Sequence, residues 1–107
     1  MKIVAFTDKP QQLVNAIDKA IKDEVLKTWG KSSNDKSETL YSHTPEQWNE
    51  KAMFKPSIND DNVSFVINWW KKDGEPNEDT KGYILGRFTE ILMVHFKNYF
   101  QYLEIRK

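Results

Sequence analysis

The pattern of hydrophobic and polar positions at the start of the chain predicts a strand, a helix and a hairpin. Residues 2–6 are apolar on both faces of an extended chain, which is typical of an interior β-strand. Residues 9–24 carry an apolar stripe at helical spacing after an acidic cap and a proline, so we expect a helix there. Residues 26–31 and 38–43 flank a polar turn and predict a hairpin. The stretch 25–31 also fits an extension of the helix, so both alternatives stay open at that point.

A short second helix is expected after this hairpin. Thr44-Pro45-Glu46-Gln47 has the form of a capping box, with proline at the first helical position. The helix is therefore predicted at about residues 45–51. Trp48 lies on this helix, and we expect its indole ring to fill part of the core.

Two further strands and a loop follow. Residues 53–58 and 63–70 flank an Asn/Asp tract and predict the two strands of a hairpin. In the second strand the odd-numbered side chains form a core face. The even-numbered side chains of that strand leave Val66 and Trp70 on the opposite face, without predicted cover. The polar stretch 71–82 predicts a loop.

The strongest helical periodicity lies in residues 82–103. Apolar positions occupy about two thirds of the predicted helix circumference, about twice the width that a helix packed on one sheet requires. Val94 falls inside the polar arc, and Gly86 lies beside the apolar arc, where a small residue lets another backbone approach closely. Residues 99–106 also fit a separate terminal strand, so a second alternative stays open here.

Together these elements predict an α+β fold and a single domain over residues 1–107, the size of one ordinary domain. We expect a two-layer sandwich in which an antiparallel sheet of about four to five strands carries the helices on one face. The main helices are those at about 9–24 and 82–103, with the short helix at about 45–51 beside them.

Composition and charge exclude several classes of protein. The chain has 16 basic and 16 acidic residues, so it carries no net charge that would attract nucleic acid or an anionic membrane. It has no cysteine, which excludes disulfides, thiolate zinc sites and a cysteine nucleophile. Because the chain shows neither a signal-peptide core nor an apolar run long enough to span a bilayer, we expect a cytoplasmic protein without a membrane partner.

The residues that usually carry chemistry form no recognisable catalytic or metal-binding motif. The two histidines, His43 and His95, lack metal-ligand spacing, and we expect His95 to be a hydrogen-bonded core residue. The acidic tracts 59–62 and 73–79 lack the spacing of a calcium loop and predict solvated turns. The sequence thus predicts no catalytic residue, no metal ligand and no cofactor, which favours a protein that is not an enzyme.

Aromatic content is the remaining signal: the chain has 14 aromatic residues in its 107 (4 Trp, 4 Tyr, 6 Phe) despite a mean hydropathy of −0.75. Most of these rings are expected in the core. The apolar surplus predicts a binding domain that forms a homodimer or docks to a protein partner. The alternative is a small ligand or single-stranded nucleic acid on an aromatic sheet face, although the neutral charge disfavours nucleic acid. The candidate interface residues are Val66, Trp70, Met93, Val94, Phe96 and Phe100.

Overall fold

A computed structural model describes residues 1–45 and 51–107 of the chain. These residues form one antiparallel sheet of six strands with two helices packed against it, which confirms the predicted α+β class with one or two strands more than expected. The helix predicted at about 45–51, together with Trp48, falls on residues outside this description.

The elements follow one another along the chain with mostly short connections. The strands and helices are β1 (Lys2–Phe6), α1 (Pro10–Lys22), β2 (Trp29–Ser33), β3 (Thr39–His43), β4 (Met53–Ile58), β5 (Asn62–Asn68), α2 (Glu78–His95) and β6 (Tyr102–Arg106). Single 3-10 turns lie at Lys71–Asp73 and Lys97–Tyr99. The strand order across the sheet is β2-β3-β4-β5-β1-β6, so β1 is interior as predicted, while β2 and β6 form the edges.

Both helices cover the same face of the sheet. Buried side chains of α1 and α2 belong to one hydrophobic core together with the odd-numbered residues of β1 and β5. Phe88 of α2 lies at its centre, with ring centroids 4.6 Å from Phe54, 4.9 Å from Phe65 and 5.1 Å from Trp29. This is the two-layer arrangement that the pattern of the chain predicts.

The stretch after α1 resolves the first open alternative in favour of a strand. Residue Glu24 adopts a φ of 60°, in the left-handed region that ends helices. The Val25 N–H then donates to the Ala20 carbonyl at 2.9 Å, and Leu26 turns into the core. β2 begins at Trp29 and pairs with β3, so the predicted hairpin is confirmed with its first strand shifted toward the turn.

The predicted bounds of the last helix are wrong at both ends. The Asn77 side chain accepts a hydrogen bond from the Thr80 N–H at 2.8 Å, so α2 begins at Glu78, inside the predicted loop 71–82. The helix then ends at His95 instead of continuing to residue 103.

The chain after α2 forms the terminal strand that was the second open alternative. β6 pairs with β1 in antiparallel register, with Tyr102 opposite Phe6 and Arg106 opposite Lys2. The apolar residues of this stretch were counted in the predicted helix arc but do not lie on the helix. That count accounts for much of the excess width of the predicted arc.

The second strand of the middle hairpin also ends earlier than predicted. β5 stops at Asn68, and Trp69 and Trp70 lie in the connection that leads to the 3-10 turn at Lys71–Asp73. Within the part of the chain that the structure describes, neither helix is long and apolar enough to cross a membrane.

Candidate functional site

The sheet face opposite the helices, which we call the open face, carries mixed polar and apolar side chains. Strand register places Val66 between Lys55 on β4 and Lys2 on β1. Arg106 of β6 continues the same row on the other side of Lys2. Val66 is half-buried, and the basic residues that flank it have aliphatic stems of the length that covers an apolar neighbour.

The structure divides the candidate interface residues between opposite sides of the molecule. Val66 and Trp70 are half-buried residues on the side of the open face. Met93 and Val94 are exposed on the outer surface of α2, beyond the helical layer. These two pairs therefore cannot contribute to one continuous patch on a single copy of the chain.

The other two candidate residues pack in or on the core. Phe96 is only 3% exposed, and its backbone N–H donates to the Leu92 carbonyl at 3.0 Å as α2 ends. Phe100 is half-buried and packs against the same core. The sequence predicts both residues on the last helix, but α2 ends at His95 and neither residue is part of it. Both therefore turn toward the core and do not form an exposed apolar surface.

The edge strand β6 is a surface that the sequence reasoning missed. Ile105 points to the helix side of the sheet, opposite Ile3, yet it is 54% exposed whereas Ile3 is 0% exposed. Tyr102 points to the open face, where its ring stacks on Phe6 at 4.4 Å and its outer side stays exposed. The alternation of apolar and charged residues in 102–106 is the signal for this strand, which the sequence left open as an alternative without any interface candidate on it.

The hydrogen-bond pattern identifies which backbone groups of β6 face outward. The Thr7 N–H donates to the Asp61 carbonyl, and the Met1 carbonyl accepts from the Ile67 N–H. The backbone N–H and C=O groups of the odd-numbered residues of β1 therefore point toward β5. The backbone groups of the even-numbered residues of β1 point the other way, toward β6. They form hydrogen bonds with the backbone of the even-numbered residues of β6. The N–H and C=O groups of Ile105 point to the outer edge, where the described residues provide no further strand.

A groove of about 600 Å³ lies on the open face, between the β2–β3 turn and the connection after β5. We call it the Trp70 groove. Leu40 and Met53 line it, although they are only 2% and 1% exposed. Beside Asn68 and Trp70, its lining includes the lysines Lys36, Lys55 and Lys71 and the acids Asp35 and Glu38.

The polar groups of the Trp70 groove are held in place by hydrogen bonds. Glu38 accepts from the Asn34 amide at 2.9 Å and from the Lys55 ammonium at 3.1 Å. The bond from Asn34, and after it the bond from Lys55, lowers the pKa of Glu38 below its ordinary value. Asn68 donates its amide N–H to the Val66 carbonyl at 3.0 Å, so its side-chain oxygen stays available as an acceptor.

A second cleft of about 300 Å³ surrounds His43. The buried imidazole lies 4.7 Å from the Trp29 ring, and its Nδ1 is 2.9 Å from the Thr28 carbonyl oxygen, to which it donates. Burial lowers the pKa of His43. Arg87 and Glu90 of α2 line the same cleft and form an ion pair at 3.8 Å.

The grouping of His43 with Glu90 could not be read from the sequence, because 47 positions separate them. A general base of this type uses a carboxylate that orients the imidazole. Here the backbone of Thr28 orients the His43 ring, and Glu90 pairs with Arg87 instead. His43 and Glu90 therefore do not form a catalytic dyad in this arrangement, and the hydrogen bond of His43 holds the chain segments around it together.

The prediction of a core position for His95 is wrong. His95 is exposed in the last turn of α2, because the helix ends there and its side chain points away from the core. Among the described residues, no group of three or more His, Asp or Glu side chains is arranged to hold a metal ion.

Comparisons with protein-family models, with curated proteins and with solved structures gave no significant match. The surfaces described above are therefore the observations from which a function can be argued.

Proposed function

We propose that this protein is a non-catalytic interaction domain that self-associates, and that the homodimer forms by antiparallel pairing of β6 with β6 of a second copy. The carrying observation is the outer edge of β6, free among the described residues, whose charges at Glu104 and Arg106 are complementary to those of a second, antiparallel copy. With Ile105 on the two-fold axis, Glu104 of each copy lies opposite the partner's Arg106.

Backbone chemistry supports pairing at this position. The N–H and C=O groups of Ile105 point to the outer edge of the sheet, as derived above from the hydrogen bonds of β1. In an antiparallel pair centred on Ile105, each Ile105 N–H donates to the partner's Ile105 carbonyl. An exposed edge of this kind is a template for pairing with another chain.

Charge selects this register over its neighbours. Pairing centred on Glu104 places two like charges directly opposite each other, which is destabilising. Pairing centred on Leu103 places Glu104 opposite Tyr102, so no pair of opposite charges forms between the copies. The register centred on Ile105 forms two Glu104–Arg106 pairs between the copies, in place of the Arg106–Glu104 contact within one strand.

Apolar exposure supports the same surface. Ile105 is 54% exposed although it lies on the helix side of the sheet, and the two-fold axis places it against its counterpart in the second copy. An interface of one short strand buries little area, so we expect a transient dimer that dissociates on dilution.

Charge reversal tests this register. Arg106→Glu places a second carboxylate opposite the partner's Glu104, so we expect the variant to be monomeric at concentrations where the wild type forms dimers. The double variant E104R/R106E exchanges the two charges and restores both cross-strand pairs, so it should dimerise again. Sedimentation equilibrium from ~10 µM to ~1 mM, the range of weak association, measures this directly.

Arg87→Glu provides the matched control, because Arg87 is also an exposed arginine that pairs with a glutamate, but on α2. This variant should dimerise like the wild type. A wild-type protein that remains monomeric at ~1 mM, the limit of weak association, would contradict the proposal. So would a double variant that stays as monomeric as Arg106→Glu.

A further inference from the structure

We infer that the Trp70 groove binds a neutral polyhydroxylated ligand of the chemical class of saccharides. This inference concerns the open face near β3, β4 and β5 and is independent of the self-association proposed for β6. It rests on the combination of an indole side chain and preformed polar groups within one groove.

The apolar part of the groove fits the C–H face of a sugar ring. Leu40 and Met53 lie at the base of the groove, but they are only 2% and 1% exposed and so offer a ligand almost no surface; the apolar contact falls to Trp70. Trp70 is half-buried and presents the remaining part of its ring surface beside them. Small-molecule sites commonly combine such an apolar lining with a few fixed polar groups.

The polar part of the groove offers both acceptors and donors. Glu38 stays ionised because Asn34 and Lys55 donate hydrogen bonds to it, and its carboxylate is thereby held in position. The Lys55 ammonium has three N–H donors, of which Glu38 engages one. A ligand hydroxyl both donates and accepts, so adjacent hydroxyl groups match the Glu38–Lys55 pair with charge-assisted hydrogen bonds.

The charge distribution favours a neutral ligand over an anionic one. The Lys55 ammonium already faces the Glu38 carboxylate at 3.1 Å, so a phosphate at this position would meet a fixed negative charge. The lining as a whole has three lysines, Lys36, Lys55 and Lys71, against two acids, Asp35 and Glu38, so opposite charges nearly balance along the groove. The same argument disfavours the nucleic-acid alternative considered from the sequence.

Titration of the 15N-labelled protein with neutral disaccharides tests the inference. Maltose, cellobiose and N,N'-diacetylchitobiose are added up to ~50 mM, which covers millimolar affinities. We expect saturable shifts of the Trp70 indole N–H and of the Asn68 amide for at least one of them. Adenosine monophosphate and a short oligothymidylate serve as anionic probes and should give no saturable shift.

Two variants and their matched controls localise the binding. Glu38→Gln and Trp70→Ala should each weaken disaccharide affinity about tenfold or more, the loss expected for one charged hydrogen bond or one stacking surface. Glu90→Gln changes an exposed glutamate on the opposite side of the molecule, and Met93→Ala an exposed apolar residue there. Both controls should bind like the wild type.

The inference is overturned if none of the three disaccharides causes a saturable shift at ~50 mM. It is also overturned if Glu38→Gln binds as tightly as Glu90→Gln, or if only the oligothymidylate binds in the groove. Arg106→Glu should retain disaccharide binding, since β6 lies away from the groove. Loss of dimerisation and loss of ligand binding are therefore measured separately.

Discussion

At the scale of single residues, His43 shows how a buried polar side chain is accommodated. Its ring packs against Trp29, and its Nδ1–H donates to the Thr28 carbonyl across the β2–β3 pair. Burial disfavours the charged imidazolium, which lowers the pKa of His43 below its ordinary value. The folded protein therefore holds the imidazole in its neutral form, and protonation of His43 lowers the free energy of unfolding.

The direction of that linkage gives a pH prediction. In the unfolded chain the histidine takes up a proton near pH 6.5, while the folded protein resists protonation because the pKa of His43 is lowered. The unfolded state binds more protons below pH 6.5, so the free energy of unfolding should fall as the pH decreases from 7.5 to 5.5. Urea denaturation at both pH values measures the change.

The variant His43→Gln should show a smaller loss of stability over this range, because the titrating group is gone. His95→Gln is the matched control, since His95 is exposed. It should retain the pH dependence of the wild type. An unchanged pH dependence in His43→Gln would refute the assignment of the effect to His43.

At the scale of elements, α2 contains two glycines that no tertiary contact requires. A Cβ added at Gly82 or at Gly86 would meet no described atom within 4 Å apart from its chain neighbours and the backbone of its own helix. The close backbone approach that the sequence suggested for Gly86 is therefore not found within the described residues. Both positions are interior to a helix, where glycine is less favourable than alanine.

Gly86→Ala should therefore raise the free energy of unfolding by up to about 1 kcal/mol. Thermal unfolding followed by circular dichroism should show a midpoint about 4 °C higher. Gly74→Ala makes the same chemical change at a φ of 75°, where a side chain is strained, and should lower the midpoint. A lower midpoint for Gly86→Ala would contradict the conclusion that this helix face has room for a methyl group.

Element boundaries were predictable only where the deciding signal is local. The alternation of β4 and β5 and the apolar stripe of α1 lie within the segments themselves, and the structure confirms all three elements. The start of α2 depends on the Asn77 cap, which sits among other polar residues and was assigned to a loop. Sequence reasoning therefore placed the element correctly and its first turn wrongly.

At the scale of the whole molecule, the sheet and both helices share one core centred on Phe88. The Phe88 ring contacts aromatic rings on β2, β4 and β5, so no layer can lose its packing independently. A small protein with one core of this kind is expected to unfold in a single two-state transition.

Phe88→Ala should lower the free energy of unfolding by about 3–5 kcal/mol, through lost burial and the cavity left behind. Tryptophan fluorescence and far-UV circular dichroism should report coincident transitions in urea for wild type and variant. Phe88→Leu should lose less, and Met93→Ala, an exposed position on the same helix, should change stability by no more than ~0.5 kcal/mol. Separate fluorescence and dichroism transitions would contradict a single shared core.

The candidate surfaces depended on this whole-molecule arrangement more than the elements did. Trp70 was identified from the sequence as lacking cover, and it does line a groove on the open face. Its neighbours in the groove, Glu38 in the β2–β3 turn and Lys55 on β4, are 17 positions apart and had no link in the sequence. Phe96 was assigned to a surface but is core, because the direction of its side chain depends on where α2 ends.

The sequence by itself determined the fold class, the interior strand β1, the helix α1 and the middle hairpin, because periodicity and turn residues act over short stretches. Tertiary structure alone decided the end of the chain. Residues 99–106 satisfy both a helical and an alternating pattern, and the unpaired edge of β1 stabilises the extended form by hydrogen bonding. That choice created the edge strand β6, on which the proposed self-association depends.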